Sequence, residues 1–461
     1  MENIEKEIVI IGAGLTGLTL AFYLRKRGKN VLILEKNERT GGVINTVTEK
    51  GFTYETGPST GVLSSLEIVE LFEDLVQQCS LQVAAKGANK RYIWKKTKWE
   101  ALPSGLLSAV RTPLFTLKDK LRILGELFRK AGGTPNESVA DLVVRRLGKS
   151  FLDYAVDPFL SGVYAGDPSQ LITRHALPKL YALEQNYGGF VRGTIAKQKE
   201  AKTDPQRAQH KKVTRQVFSV VDGLKKLTET LHEQIGNANI LTNCKDLSIQ
   251  PTASGFSIQF RQNSDDVKSI LASKVITTIG GYALADVIPF ADASDLKHFA
   301  ETTYSPVIQI AVGYNHWSGI KLDAFGGLIS SKDKRSVLGV LFPSAIFPYR
   351  APEGGALLSV FMGGTKRKDL LLLPDTEIEK LVKAELKILM KVDAEPDLLR
   401  IHRYQHAIAQ YDVKTDDRLK SISNIEKKYP GLIIAGSIRD GIGMSDRVKQ
   451  AKILAKELMM T

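Results

Sequence analysis

An α/β fold organised on a parallel sheet is what this 461-residue sequence predicts, and three observations carry the expectation. Residues 8–11 (Ile-Val-Ile-Ile) are a short, continuous run of β-branched residues, as in a strand buried on both faces. A glycine-rich turn, Gly12-Ala13-Gly14-Leu15-Thr16-Gly17, follows at once and leads into residues 18–27, where Leu18, Phe22 and Leu24 recur at helical spacing. Gly28 stops that helix, a second apolar run covers 31–34, and Glu35 stands at its end. Strand, glycine turn, helix, strand and acid in this order describe a βαβ unit. Its glycines let the backbone approach a pyrophosphate at the helix N-terminus, and its acid is placed to accept hydrogen bonds from a ribose.

The length suggests two or three domains. An apolar content of 43% and a charged content of 25% are those of a globular protein. Residues 8–24 are apolar enough to raise the question of a signal peptide, but Glu2, Glu5 and Glu7 outweigh Lys6 where such a leader would be basic. The sequence holds no uncharged apolar run of membrane-spanning length. Cys79 and Cys244 are its two cysteines, which argues against a disulfide framework or a zinc cluster, and no metal is expected. Both read as small core residues in a reducing cytoplasm. The net charge of +14 is unevenly spread: residues 86–215 hold 25 of the 64 basic and 11 of the 50 acidic residues, leaving 39 of each elsewhere. That segment is expected to be a separate unit facing something anionic. It carries no nucleic-acid motif, so anionic lipid and an acidic small molecule rank ahead of nucleic acid.

Beyond Glu35 and Lys36, the stretch Glu38-Arg39-Thr40-Gly41-Gly42-Val43 brings a glycine pair just past the second strand, suited to close passage beside a ligand. Gly57-Pro58 is a rigid turn, followed by Ser59 and Thr60. Together these stretches resemble the flavin-containing amine oxidase superfamily, in which the same pattern lies along FAD. The resemblance makes FAD, rather than NAD, the implied cofactor. It implies contacts from Gly12, Ala13, Gly14, Leu15, Thr16, Gly17, Glu35, Lys36, Gly42, Val43, Gly57, Pro58, Ser59 and Thr60.

Residues 66–75 read as a helix, and 91–94 and 99–102 as two strands joined by a basic turn. Residues 103–147 read as short helices with basic faces, where Leu117, Leu121, Leu124 and Leu127 accompany Lys118, Lys120, Arg122 and Arg129. An exposed apolar edge on those helices would suit a membrane surface. Residues 158–169 hold two glycines and an Asp-Pro pair, which read as a loop. Their sequence, Ser161-Gly162-Val163-Tyr164-Ala165-Gly166-Asp167-Pro168-Ser169, resembles the signature of protoporphyrinogen oxidases, continued by Arg174-His175-Ala176-Leu177-Pro178. Residues 197–215 read as a polar connection.

A strand at 218–224, a helix at 225–234 and strands at 239–241 and 270–279 come next. The superfamily resemblance would pass the adenine end of FAD near Asp246. Strands are expected at 307–312, 336–341 and 357–361, with an amphipathic helix at 375–390. Residues 338–343, 346–355 and 409–412 again resemble the protoporphyrinogen oxidase pattern. By that resemblance Arg91 would face a substrate propionate, and Leu328 and Phe347 would line a tetrapyrrole cavity with Gly162 and Gly166. On composition alone Leu328 and Phe347 are ordinary core residues, and Arg91 a solvated strand arginine. The chain closes with a strand at 432–434, a turn and a helix from about 446 to 458. Superfamily members set this element against the flavin, which implies contacts from Gly436, Ser437, Ile442, Gly443 and Met444.

The resemblance spans residues 8–458. It implies a Rossmann-like FAD-binding domain assembled from 1–85, 216–290 and 425–461, a helical basic insert at 86–215, and an α+β substrate domain at 291–424. The implied activity is FAD-dependent oxidation of a porphyrinogen, protoporphyrinogen IX or coproporphyrinogen III, with oxygen or another acceptor reoxidising the flavin. The implied location is cytoplasmic, with the insert against an anionic membrane surface. No general base is identified. A flavin amine oxidase, a carotenoid-type desaturase and a non-catalytic carrier on the same fold are the alternatives. The first would want aromatic residues between Ser437 and Met444, where there are none; the second lacks the 161–169 signature; and the intact flavin elements disfavour the third.

Overall fold

The computed structural model describes residues 4–203, 209, 211–263 and 266–460, apart from the side chains of Ile4 and Leu106. Two seven-stranded sheets carry the fold. The first runs in the order Ile240–Leu241, Val31–Leu34, Ile4–Ile11, Val267–Thr277, Gly255–Gln262 and Cys244–Thr252, with Leu432–Ile434 also paired to Val267–Thr277. Its members Ile240–Leu241, Val31–Leu34, Ile4–Ile11, Val267–Thr277 and Leu432–Ile434 are parallel to one another, while Cys244–Thr252 and Gly255–Gln262 add an antiparallel meander. The apolar runs read from the sequence are buried on both sides, because helices cover both faces. On one face lie Leu15–Arg25, Leu66–Asp74, Lys225–Ile235 and Met444–Met460; on the other lie Ala293–Ala300 and Thr415–Lys428.

The second sheet runs in the order Leu398–Ala409, Tyr304–Tyr314, Ala356–Gly363, Val337–Leu341, Gly326–Ile329, Tyr92–Lys95 and Lys98–Ala101. Ile308, Ile310, Val312, Leu358, Val360 and Met362 point to the helix Asp375–Leu389 and form its core. The opposite face of the two central strands, with Gln309, Ala311, Leu357 and Ser359, turns toward the loops of the first sheet. The basic hairpin read at 91–102 is bonded here, with Tyr92–Lys95 parallel to Gly326–Ile329, rather than packed as part of a purely helical insert.

The remainder of 103–203 is helical: Leu106–Arg111, Leu117–Leu124, Val139–Arg146, Asp157–Val163, Thr173–Ala176, Pro178–Tyr187 and Phe190–Thr203. A buried ion cluster fastens these helices. Arg146 is fully buried and bonds to Glu126 and Glu184, and Glu126 also accepts from the amides of Phe190 (2.8 Å) and Val191 (3.1 Å). Two sequence expectations change. Residues 158–163, read as loop, belong to the helix Asp157–Val163: Pro158 sits in the first turn, where its missing N–H costs nothing. Residues 197–203, read as connection, extend the helix from Phe190, while 204–208 and 210 lie outside the described residues. Cys79 and Cys244 are free and buried, and burial pushes both thiols up to about 11. Among the described residues no helix is long and apolar enough to cross a membrane.

Candidate active site

The parallel strands of the first sheet end together, and the turns that leave them meet at their carboxyl ends, where ligands bind in open α/β sheets. Gly12 takes φ +102°, a left-handed conformation that favours glycine, and turns the chain from Ile4–Ile11 into its helix. A Cβ on Gly17 would collide with the Gly12 carbonyl oxygen, so the helix packs against the turn only as glycine allows. Gly14 is different: nothing lies within 4 Å of where its Cβ would be. Beside it, a Cβ on Gly42 would come 3.3 Å from the Gly14 Cα, and the Gly41 amide donates to the Ala13 carbonyl at 2.8 Å. Two glycine backbones thus flank an open cradle. The side chains of Leu15 and Thr16 are buried, so these residues can offer a ligand only their backbone.

Glu35 is buried, and its carboxylate accepts from the Ala13 amide (2.7 Å) and from the amide (2.9 Å) and side chain (2.8 Å) of Asn37. A carboxylate has about four acceptor sites, so one remains for a ribose hydroxyl. Lys36 is exposed at its side. Asp246 lies two residues beyond Cys244, whose amide donates to the Glu35 carbonyl at 2.8 Å; its own side chain points outward to Arg261. The open cradle at Gly14 and the partly satisfied acid fit the adenosine diphosphate portion of FAD.

The turn from 41 to 60 continues along this edge. Val43 is half exposed, and its carbonyl presses on Gly57, where a Cβ would collide with it. Pro58 and Thr60 are half-buried, and Ser59 is buried, donating to Ser359 Oγ on the second sheet at 3.3 Å. On the other side Thr278 knits the C-terminal strand to the fingerprint. Its hydroxyl donates to the carbonyls of Ile11 (3.1 Å) and Gly12 (3.2 Å), and its own carbonyl lies 3.1 Å from where a Cβ on Gly436 would be. Gly436, Ser437, Ile442, Gly443 and Met444 are thereby brought to the edge that holds Gly12. The final helix begins at Met444, and Asp446 already accepts from the Gly443 amide at 3.0 Å.

The residues expected around a substrate fall on the second sheet and its flank. Gly162 presents its bare face to Leu328, whose Cδ2 lies 2.5 Å from where a Cβ would be. A side chain at Gly166 would collide with Gln410. Arg91 precedes the strand Tyr92–Lys95 and is exposed, its guanidinium 5.6 Å from the ring of Phe325; no acid pairs with it among the described residues. Phe325 packs on the cluster of Ala88, Val217, Ile346 and Phe347, in which Phe347 is 2% exposed. Arg91 and Phe347 are therefore neighbours through Phe325, while Leu328 faces a different cluster with Ile93, Leu114 and Phe115.

Several residues of this region lie in stretches covered by the resemblance but were given no role from the sequence. Tyr411 is buried, and its hydroxyl donates to the carbonyls of Ser437 (2.8 Å) and Gly441 (3.2 Å), while its own carbonyl accepts from the Ile172 amide (2.8 Å). It joins the 161–172 stretch to the C-terminal turn. Gln410 donates to the Tyr164 carbonyl at 3.0 Å, and the Ala165 carbonyl accepts from Ser305 Oγ (2.5 Å) and the Thr365 amide (2.9 Å). Arg350 and Glu55 form a buried pair at 3.0 Å that ties the 347–355 loop to the first sheet's turns, with Arg350 5.7 Å from the Phe347 ring.

Residues 15–456 match the family of flavin containing amine oxidoreductases. The chain is 27% identical over 470 residues to the mitochondrial protoporphyrinogen oxidase of Nicotiana tabacum, covering 95% of this chain and 92% of that one. It is 26% identical over 479 residues to the coproporphyrinogen III oxidase of Bacillus subtilis (strain 168), covering 100% and 99%. A crystal structure from Exiguobacterium sp. 255-15 assigned to protoporphyrinogen oxidase superimposes with a TM-score of 0.81 at 23% identity, covering 99% of each chain. Cyclohexylamine oxidase from Brevibacterium oxydans IH-35A gives 0.69 at 15%, covering 98% and 99%. These two likenesses establish the fold.

Proposed function

The chain belongs to the flavin-containing amine oxidoreductase family, and from that premise we propose that it oxidises a porphyrinogen to the porphyrin in haem biosynthesis. The observation that carries the reading is the seating of the signature stretch. Gly162 faces Leu328 on the second sheet, and Tyr411 links the same stretch to the turn beside Gly12. A flat macrocycle bound against Leu328 would be held toward the cofactor edge. The curated relatives named above, matched over nearly their full lengths, act on protoporphyrinogen or coproporphyrinogen III.

FAD, when bound, supplies the two-electron acceptor; the protein binds, orients and excludes water. Arg91 has no acid partner among the described residues, so its planar guanidinium is free to hold a substrate propionate by two parallel hydrogen bonds. Gly162 and Gly166 leave room for Leu328 and Gln410 to pack closely against the signature stretch. The carbonyls of Tyr164 and Ala165 are already engaged by Gln410, Ser305 and Thr365, which argues against either as a proton acceptor. Oxygen or another acceptor would reoxidise the flavin.

The basic insert would meet an anionic membrane surface at the inner face of the membrane. Leu107, Val110, Leu117, Leu121, Leu124 and Phe128 are each at least 60% exposed, and Lys118, Lys120, Arg122 and Arg129 lie among them. An apolar edge fringed by cations suits an interfacial helix pair. The test of the activity is aerobic turnover of the two porphyrinogens, followed by the visible absorption of the porphyrin product. Formation of either porphyrin at a rate above the uncatalysed one is expected; turnover of primary amines with no porphyrin formed would overturn the reading.

A further inference from the structure

Arg418 is 1% exposed, yet among the described residues no carboxylate pairs with it. Its Nε donates to the Ile438 carbonyl at 2.8 Å, its two terminal nitrogens reach the Gln410 carbonyl at 3.4 and 3.5 Å, and its guanidinium lies 5.6 Å from the Tyr411 ring. Three carbonyl contacts satisfy hydrogen bonding but leave the charge unneutralised. A buried cation without a counter-ion is costly, and burial does not discharge an arginine.

Other charges surround the same turn, and each is matched or solvated. Arg439 pairs with Glu426, and Arg447 pairs with Asp440 at 2.9 Å. Asp446 is exposed and bonded to the Gly443 amide, where it offsets the positive end of the final helix. Asp412 accepts from Thr303 and the Lys414 amide, and Lys414 pairs with Glu301. Arg418 is left as the buried charge without a direct ion pair beneath residues 437–441, with Tyr411 and the Asp412 carboxylate acting on it only through space. Those residues follow Gly436, which abuts Thr278 and through it Gly12.

We infer that Arg418 is a positioning and tuning residue for the bound flavin, holding the C-terminal turn by its carbonyls and favouring the reduced cofactor by its charge. A hydride accepted by a neutral oxidised flavin leaves one negative charge there until a proton follows. A fixed cation in a dry setting lowers the energy of that state, while an exposed cation would be screened. The inference rests on the reading that this turn closes over the flavin.

The test is a dye-equilibrated reductive titration of the flavin bound to wild type, Arg418→Met, Arg418→Lys and Tyr411→Phe. Arg418→Met should shift the reduction equilibrium at least tenfold against the reduced form, which is about 30 mV for a two-electron couple. Arg418→Lys keeps the charge and should stay within threefold of wild type. Tyr411→Phe removes two contacts to the turn and no charge, and should also stay there. An unchanged equilibrium in Arg418→Met, an equal fall in Arg418→Lys, or an equal fall in Tyr411→Phe would overturn the inference. Should Arg418→Met lose the cofactor, Arg418→Gln, which keeps a donor for Ile438, is judged by the same criteria. A wild-type protein that binds no flavin would instead remove the reading on which the inference rests.

Discussion

Gly14 and Gly17 sit three residues apart in one motif, and the structure gives them opposite prospects on substitution. Nothing lies within 4 Å of a Cβ on Gly14, and its φ of −73° suits any residue. Gly14→Val should therefore leave the apoprotein folded, losing about 1 kcal/mol for replacing a tolerated N-cap residue. Its branched side chain would fill the cradle between Gly14 and Gly42 that the pyrophosphate needs. Cofactor present at a thousandfold its dissociation constant stabilises wild type by about 4 kcal/mol through mass action, and that increment should be absent in the variant. Gly17→Ala meets the Gly12 carbonyl oxygen, which is backbone and cannot swing aside. Overpacking of this kind costs about 1–3 kcal/mol or more, so this variant should be destabilised with or without flavin. Thermal unfolding of both apoproteins, with and without added FAD, checks the contrast. A Gly14→Val protein that is yellow and stabilised by FAD would refute the assignment of the cradle.

Arg91→Ala should raise KM for porphyrinogens by about 1.5–3 kcal/mol, roughly ten- to a hundredfold, with flavin content unchanged; steady-state kinetics check it, and an unaltered KM returns Arg91 to the surface. Phe128→Ser and Leu121→Ser should each weaken binding to anionic vesicles by about 1.5–3 kcal/mol if fully inserted, and high salt should weaken the wild type; binding insensitive to both would separate the insert from membranes. Burial pushes Glu126 and Glu184 up, but bonds from backbone amides and from Arg146 and Arg145 outweigh it, and both carboxyls lie below the ordinary range. Depressed folded pKa values mean that their contribution is complete above the unfolded value of about 4.3 and is lost as pH falls further. Amide-exchange protection across 126–146 should hold down to about that pH, and its loss already at pH 6 would contradict the ion cluster.

The first βαβ unit was legible because strand period, glycine spacing and terminal acid are local and mutually consistent. The hairpin at 92–101 was legible as two strands, but not its sheet, because its partner Gly326–Ile329 lies more than two hundred residues away. The helix Asp157–Val163 was hidden by Pro158 and Gly162. The proline falls in the first turn, and the glycine is kept by contact with Leu328, a tertiary reason invisible to local rules. Arg418 was the least visible residue of the site. It lies between the 409–412 stretch and the strand at 432–434, where the sequence carries no signal, and only the fold turns it inward beneath Ile438. Tyr411 lay within a quoted family pattern, although nothing local announced that its hydroxyl would reach Ser437 and Gly441.

The measurement that tests the central claim most directly is an anaerobic half-reaction. The flavin-loaded protein is mixed with protoporphyrinogen IX or coproporphyrinogen III, and the flavin's visible absorption is followed without oxygen. Porphyrinogen oxidation predicts bleaching of the flavin with at least one of the two, saturating in substrate, with porphyrin absorption rising in step. A flavin that stays oxidised with both would contradict the account.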